Sequence, residues 1–264
     1  MFIGGLVSVT FRQLSPEQII DLLGRSGLKA IEWGGDVHVP HGNLAVARRT
    51  ARLTADTGLQ ICAYGSYYRV GISEGAGLPF SDVLDTALAL GAPLIRVWAG
   101  NLGSAKASGA ERQEIVDDSR RIADLAASSG VDIAFEYHSD TLTDTSTSAL
   151  DLLNRIDHPN VRSYWQPPVG RSFDSCSNGL QAVLPHLAAI HAYTWKKQGD
   201  QIIRLALQNG ESEWRHYLAV AAQANRILPV LLEFVADDDP KQFLRDAQTL
   251  SAWLTECGGA GDHR

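Results

Sequence analysis

Four polar side chains stand at or near the ends of the last four apolar runs of the chain, and together they are its strongest chemical signal. Val131–Glu136 ends on Glu136, Val161–Gln166 on Gln166 and Leu187–His191 on His191, while Leu228–Phe234 carries Glu233 one residue before its end. Singly, each has an ordinary structural explanation: a salt bridge for a glutamate, a satisfied core hydrogen bond for a histidine. Together they are hard to pack, because an uncompensated carboxylate pair is costly to bury and a divalent cation removes that cost. Carboxylate, amide and imidazole are donors that such cations accept. The chemistry this set supports is removal of a proton next to a carbonyl, with a cation holding the charge on oxygen and a carboxylate taking the proton. Glu136 and Glu233 are the candidate acid–base pair. His138, two residues after Glu136, shares its strand face and is a third catalytic candidate, as an extra ligand or a proton donor.

The other strand ends supply residues suited to holding a substrate: Arg12, Glu32, His38, Tyr64, Tyr68, Arg69, Arg96, Trp98, Trp165 and Tyr193. With Trp33, Tyr67 and Trp195, the aromatic members suit stacking on the apolar face of a sugar ring, although about half of the aromatics are expected in ordinary core packing. Arg12, Arg69 and Arg96 could grip a carboxylate or phosphate, or pair with Glu32 or Asp36. No glycine-rich phosphate cradle is present, which favours an unphosphorylated ligand.

The elements that must position these residues form a regular alternation. Short apolar runs at Ile3–Val9, Ala30–Trp33, Leu59–Tyr64 and Leu94–Trp98 precede the four already named, and each reads as a parallel strand covered on both faces. Amphipathic stretches lie between them. The first opens with Ser15 as cap, Pro16 in the first turn and Gln18 completing a capping box, and it closes at Gly27. The last opens with Asp239 and Pro240. Weaker helices are predicted at Val46–Thr57, Phe80–Leu90, Arg112–Ala127, Ala149–Ile156, Ser177–Pro185 and Glu213–Gln223. Strand and helix alternating without consecutive strands demands right-handed crossovers and a parallel sheet. An open doubly wound sheet would carry a GxGxxG after its first strand, and Val9-Thr-Phe-Arg-Gln-Leu has none. Eight similar units therefore predict a closed (β/α)₈ TIM barrel, one domain over residues 1–257, with a flexible glycine-rich tail at 258–264.

Bulk properties agree. The 264 residues are 45% hydrophobic and 20% charged, with a net charge of −7. That is globular composition and argues against nucleic acid as a partner, which would need a basic groove. Cys62, Cys176 and Cys257 have no metal or redox spacing and read as small buried hydrophobes. The N-terminus lacks the charged flank of a signal peptide, and no run reaches the ~18 apolar residues of a membrane span. A cytoplasmic protein acting on a small molecule, with homo-oligomerisation left open, is the expectation.

The order Glu136, a polar sixth-strand residue, His191, Glu233 resembles the xylose-isomerase-like superfamily, which includes ketose 3-epimerases, inosose dehydratase and hydroxypyruvate isomerase. So do Gly5-Leu-Val-Ser-Val-Thr-Phe, Gly27-Leu-Lys-Ala-Ile-Glu-Trp, Gly91-Ala-Pro-Leu-Ile-Arg-Val and Asn209-Gly-Glu-Ser-Glu-Trp214. The resemblance implies a divalent metal, Mn²⁺ first and Mg²⁺, Co²⁺ or Zn²⁺ as alternatives, held by Glu136, Gln166, His191 and Glu233. It also implies that the two glutamates move protons on either side of a sugar carbon, as in an isomerase or epimerase of a sugar or keto-sugar. The chain departs from the pattern in three places. Gln166-Pro-Pro-Val169 replaces an Asp followed by His, no arginine follows the histidine in His191-Ala-Tyr-Thr-Trp-Lys-Lys197, and His138 is additional. These departures bring forward a keto-sugar dehydratase or lyase using the same site. A non-catalytic sugar-binding barrel, with Glu136 and Glu233 paired to Arg96 or Arg69, is the alternative of another class. The superfamily's apurinic-site endonucleases want more histidines and a basic face, against a pI near 5.6.

Overall fold

The structure is a computed structural model and describes residues 1–259. Its barrel strands are β1 (Phe2–Val7), β2 (Ala30–Gly34), β3 (Gln60–Arg69), β4 (Leu94–Trp98), β5 (Asp132–Phe135), β6 (Val161–Trp165), β7 (Leu187–Ala192) and β10 (Leu228–Leu232). All pair in parallel with their sequence neighbours, and β10 closes the ring on β1 through Phe2↔Leu228. The helices are α1 (Pro16–Ser26), α2 (Leu44–Asp56), α3 (Phe80–Leu90), α4 (Gly109–Ala127), α5 (Ser146–Ile156), α6 (Phe173–Val183), α7 (Glu211–Ala221) and α8 (Pro240–Gly259). The chain is a TIM barrel, as the alternation requires.

Local chemistry accounts for the helix ends. Ser15 and Gln18 form the expected capping box, and Gly27 takes the left-handed conformation that stops α1. Most of the weaker helices begin earlier than their apolar stripes suggest, because caps extend them. Ser108 with Glu111 starts α4, Thr145 starts α5 and Ser172 starts α6. Helix α8 runs through Gly258 and Gly259, the first residues of the expected tail, and 260–264 lie outside the described residues. Two features were not expected. Strand β3 runs on to Arg69, and an antiparallel hairpin, β8 (Thr194–Gln198) with β9 (Gln201–Leu205), stands between β7 and α7. Its turn, Gly199-Asp200, is a two-residue hairpin signal, with Gly199 at φ 60°.

Strand alternation decides which residues reach the site. Val7, Ala30, Cys62, Ala63, Leu94, Ala134, Tyr164, Ala189 and Leu231, at least one from every barrel strand, form a buried cluster of their own that fills the barrel. Small side chains predominate in it, leaving room for the layer above. Two residues further on, the same faces carry Glu32, Arg96, Glu136, Gln166, His191 and Glu233. The opposite faces, with Trp33, Val97, Phe135, Trp165, Ile190 and Leu232, pack in the larger core shared with the helices. Among the described residues no helix is long and apolar enough to cross a membrane.

Closure leaves no space at Gly5, where a Cβ would collide with the Ala30 carbonyl oxygen and approach Leu231 to 2.6 Å. Gly5→Ala is therefore expected to cost about 3 kcal/mol, the upper part of the overpacking range. Gly24→Ala, on an exposed turn of α1 with nothing within 4 Å, should instead stabilise by about 0.5–1 kcal/mol. Urea midpoints of the two variants test this; equal midpoints would contradict the packing argument.

Candidate active site

The layer above the barrel filling is built around one guanidinium. Arg96, 2% exposed, donates through Nε to Glu32 Oε1 at 2.8 Å and through Nη1 to Glu136 Oε2. Trp98 Nε1, from the same strand face, donates to that Glu136 oxygen as well. Glu32 Oε2 accepts from Tyr164 Oη at 2.8 Å and lies 3.2 Å from His191 Nε2. On the other side of the ring, His191 Nδ1 faces Gln166 Oε1 at 3.1 Å, Glu233 Oε2 at 3.4 Å and Glu136 Oε1 at 3.5 Å. Gly65 makes room for this layer, since a Cβ there would stand 2.6 Å from Glu32 Oε1 and 2.8 Å from Arg96 Nη2.

The electrostatics follow from these contacts. Burial pushes the Glu32 carboxyl up, but Arg96 and His191 outweigh it and bring the group down to about 2. For His191, burial opposes the charged ring, yet Glu233 and Glu32 hold it up to about 9. Both of its nitrogens face acceptors, so Nε2 needs a proton and Nδ1 needs either a proton or a cation. Glu32, Glu136 and Glu233 set three negative charges against the single guanidinium of Arg96, leaving two uncompensated when His191 is neutral. Ligand atoms of Glu136, His191 and Glu233 all lie within 4.8 Å of one another. Donor type, charge and spacing therefore fit a divalent cation, and Glu32 on the far nitrogen fixes the tautomer that presents Nδ1. Gln166 is fixed too: its Nε2 donates to the Tyr137 carbonyl at 2.6 Å, which turns its Oε1 towards His191. A carboxylate in its place could not make that donation.

Above this layer opens a cavity of about 670 Å³. Of the residues expected at the site, Arg12, Arg96, Trp98, Glu136, His138, Gln166, Tyr193 and Glu233 line it. Glu32 and His191, both fully buried, lie beneath and support it. Arg69 sits behind the wall, its guanidinium 4.4 Å from the Trp98 ring centre and bonded to the Gly100 carbonyl. Four further expected substrate contacts lie away from the cavity. His38 is tied to Ser8 Oγ and the Leu14 carbonyl, and Tyr64 donates to the Val39 carbonyl. Tyr68 bonds Glu74, and Trp165 packs on Trp214 and Tyr217. None of the four lines the cavity. Trp165 faces the helices because it is out of step with Gln166. Tyr64 does so because the β2–β3 register slips between Ile31/Glu32 and reverses the alternation of β3.

Several lining residues were missed as site residues or noted only as rim aromatics: Tyr67, Arg171, Phe234, and Trp195, Ile202 and Arg204 of the hairpin. The Gly199-Asp200 turn could have revealed the hairpin; nothing in the sequence placed Arg171 or Phe234. His138 stacks on Trp98 with ring centres 4.3 Å apart, and its Nδ1 donates to the Ser139 carbonyl at 2.7 Å. That leaves Nε2 with the lone pair. Burial lowers the pKa of the ring, which favours the neutral base.

The chain belongs to the xylose isomerase-like TIM barrel family, whose model matches residues 20–254. Over 164 residues it is 30% identical to a 3-dehydroshikimate dehydratase of Bacillus anthracis, a match spanning 60% of this chain and 59% of that relative. A crystal structure of a "probable 3-DHS dehydratase" from Bacillus anthracis superposes with a TM-score of 0.77 at 22% identity, covering 95% of this chain and 99% of that one. A xylose isomerase-like TIM barrel protein of Mycobacterium smegmatis, in complex with magnesium, superposes at 0.74 and 17% identity over 94% and 91% of the two chains. At these identities the structural likeness speaks for the fold alone.

Chelator-stripped protein titrated calorimetrically with Mn²⁺ is expected to take up one ion per chain, and Glu233→Gln should abolish uptake. Glu32→Gln, which touches no cation but loses the partner of His191 Nε2, should weaken binding about 10–100-fold. Unchanged affinity in Glu32→Gln would refute the supporting role of that carboxylate.

Proposed function

We propose that the protein is a metal-assisted dehydratase acting on a small hydroxylated ketone: it removes a proton next to the carbonyl and expels a hydroxyl group from the neighbouring carbon. The observation that carries this reading is the inequality of the two cavity carboxylates. An epimerase that passes a proton between two faces of one carbon needs two groups that each take up and release it. Glu136 is poorly suited, because Arg96 and Trp98 both donate to its Oε2. A proton there would displace charge-assisted bonds in a buried site. Glu233 has no such clamp, and His138 offers a neutral nitrogen.

A divalent cation held by Glu136, His191 and Glu233, with Gln166 Oε1 as a neutral fourth donor, would supply a Lewis acid for charge developing on the carbonyl oxygen. Mn²⁺ or Mg²⁺ suits the three oxygen donors. His138 Nε2 takes the carbon-bound proton. Trp98 holds His138 by stacking and Glu136 by its N–H, so the base and the charged layer keep a fixed separation. Arg12, Arg171 and Arg204 set guanidinium groups on the cavity wall, alongside Asp140 and Asp144, and a guanidinium is a donor suited to a substrate carboxylate. The similarity to a 3-dehydroshikimate dehydratase supports the same reaction class. The reading replaces sugar epimerisation as the first expectation and keeps the same initial proton removal.

The test is incubation with 3-dehydroshikimate, keto-sugars and inososes in D₂O with Mn²⁺, followed by mass spectrometry and NMR. Loss of water from one of them is the expected result. Deuterium uptake with an inverted carbon and no loss of water would establish the epimerase instead, and no reaction with any would leave a binding barrel. His138→Ala should lower turnover at least tenfold, about 1.4 kcal/mol of transition-state stabilisation, with Tm little changed. A drop in Tm with intact turnover per folded molecule would make His138 structural.

A further inference from the structure

Strand β3 breaks its pairing with β4 between Gly65↔Arg96 and Tyr68↔Val97, so Ser66 and Tyr67 bulge out of the sheet. Ser66 stitches the break, donating to the Arg96 carbonyl at 2.6 Å and accepting from the Tyr68 N–H at 3.2 Å. Tyr67 is held at φ 57°, a left-handed conformation that a bulky aromatic residue adopts only under strain. Such strain persists where the surroundings enforce it, and bulges commonly re-aim a side chain beside an active site. Here the result is definite. The Tyr67 ring lies 4.8 Å from the Arg96 guanidinium carbon and meets Trp98 edge-on at 5.1 Å, and the residue lines the cavity.

The phenol hydrogen is the unexplained part. Arg12 Nη2 lies 2.9 Å from Tyr67 Oη, while its Nε donates to Asp36 at 3.0 Å and its Nη1 to the Val9 carbonyl at 3.2 Å. A guanidinium only donates, so the Tyr67 oxygen must be the acceptor. Among the described residues the phenol hydrogen has no acceptor. Burial raises the phenol's pKa, against the pull of Arg96 and Arg12, so the group keeps its proton until something in the cavity takes it.

We infer that Tyr67 is the acid of the reaction, delivering its proton to the departing hydroxyl oxygen, with Arg12 and Asp36 as positioning residues. The inference rests on the dehydratase reading. His138 Nε2 takes the carbon-bound proton and the electron pair of that C–H bond becomes the new C=C bond. The C–O bond breaks with its electrons on oxygen, and the Tyr67 proton completes a water molecule. The phenolate left behind stands beside two guanidinium groups, which lowers the cost of forming it, and the proton on His138 restores the phenol through solvent. No oxidant or reductant is needed.

The test compares wild type with Tyr67→Phe, which keeps the ring and its packing, on whichever compound of the D₂O panel the wild type dehydrates. Dehydration should fall at least about 100-fold, the usual scale of acid catalysis, while exchange of the carbon-bound proton for deuterium continues within about threefold. The ratio of exchange to dehydration thus rises. Equal loss of exchange and dehydration would mean that Tyr67 only shapes the cavity, and unchanged dehydration would mean that it does nothing to the leaving group; either overturns the inference while the dehydratase reading stands. A wild type that dehydrates nothing overturns both.

Discussion

A single buried cation, Arg96, decides the geometry of everything at the mouth of this barrel. Burying a guanidinium costs several kcal/mol, and burying Glu32 and Glu136 beside it costs as much again for each ion. Mutual attraction at close range returns that energy only if all the partners remain in place. The consequence is rigidity. Glu32 cannot turn away, so its other oxygen is fixed for Tyr164 and His191. His191 cannot turn away, so its second nitrogen is fixed towards Glu136, Glu233 and Gln166. Apolar residues of the same volume would stabilise the barrel at least as well, so the network is better explained by what it holds than by the stability it gives.

Three glutamates occupy one layer, and depth and partners give them three different tasks. Glu32 is fully buried and acts on the layer from below, through Arg96 and His191. Glu136 reaches the cavity but arrives already bonded to Arg96 and Trp98. Glu233 reaches it with the fewest commitments. The same carboxyl chemistry therefore yields a support, a fixed negative charge and an adaptable ligand. Depth separates them as much as distance does, since their shared partner His191 touches all three.

Much of this was legible in the sequence, and what was not has a physical cause. Continuous apolar runs located every barrel strand, and the two-residue period placed Glu136 with His138, as well as Glu32, Gln166, His191 and Glu233, on inward faces. Period fixes face but not height, which is why Glu32 was expected to touch a substrate and instead lies beneath the cavity. Period also fails where a strand is irregular. The slip at Ile31/Glu32 turned Tyr64 outward and put Gly65, and Tyr67 two residues on, on the inward face, where the bulge at Ser66–Tyr67 lifts the ring out of the sheet. The hairpin β8–β9 was passed over because its strands are mostly polar and outside the barrel rhythm, although its Gly199-Asp200 turn is a recognisable signal.

The irregularity of β3 and the regularity of its neighbours belong to one solution. Six strands deliver charged and polar groups to the mouth at one level, and a layer made that way can hold charge but leaves little freedom in where each group stands. A bulge of two residues shifts the register but keeps the facing of the strand beyond it, so β3 can place Gly65 against Arg96 and, two residues later, hang an aromatic ring over the same guanidinium. Gly65 supplies the space in which Arg96 and Glu32 meet, and Tyr67 covers the ion pair from the cavity side. Without the bulge the face of Arg96 towards the cavity would lose the ring that covers it. The strained φ of Tyr67 is thus the local consequence of keeping a buried charge layer and an open cavity within a few ångströms of each other.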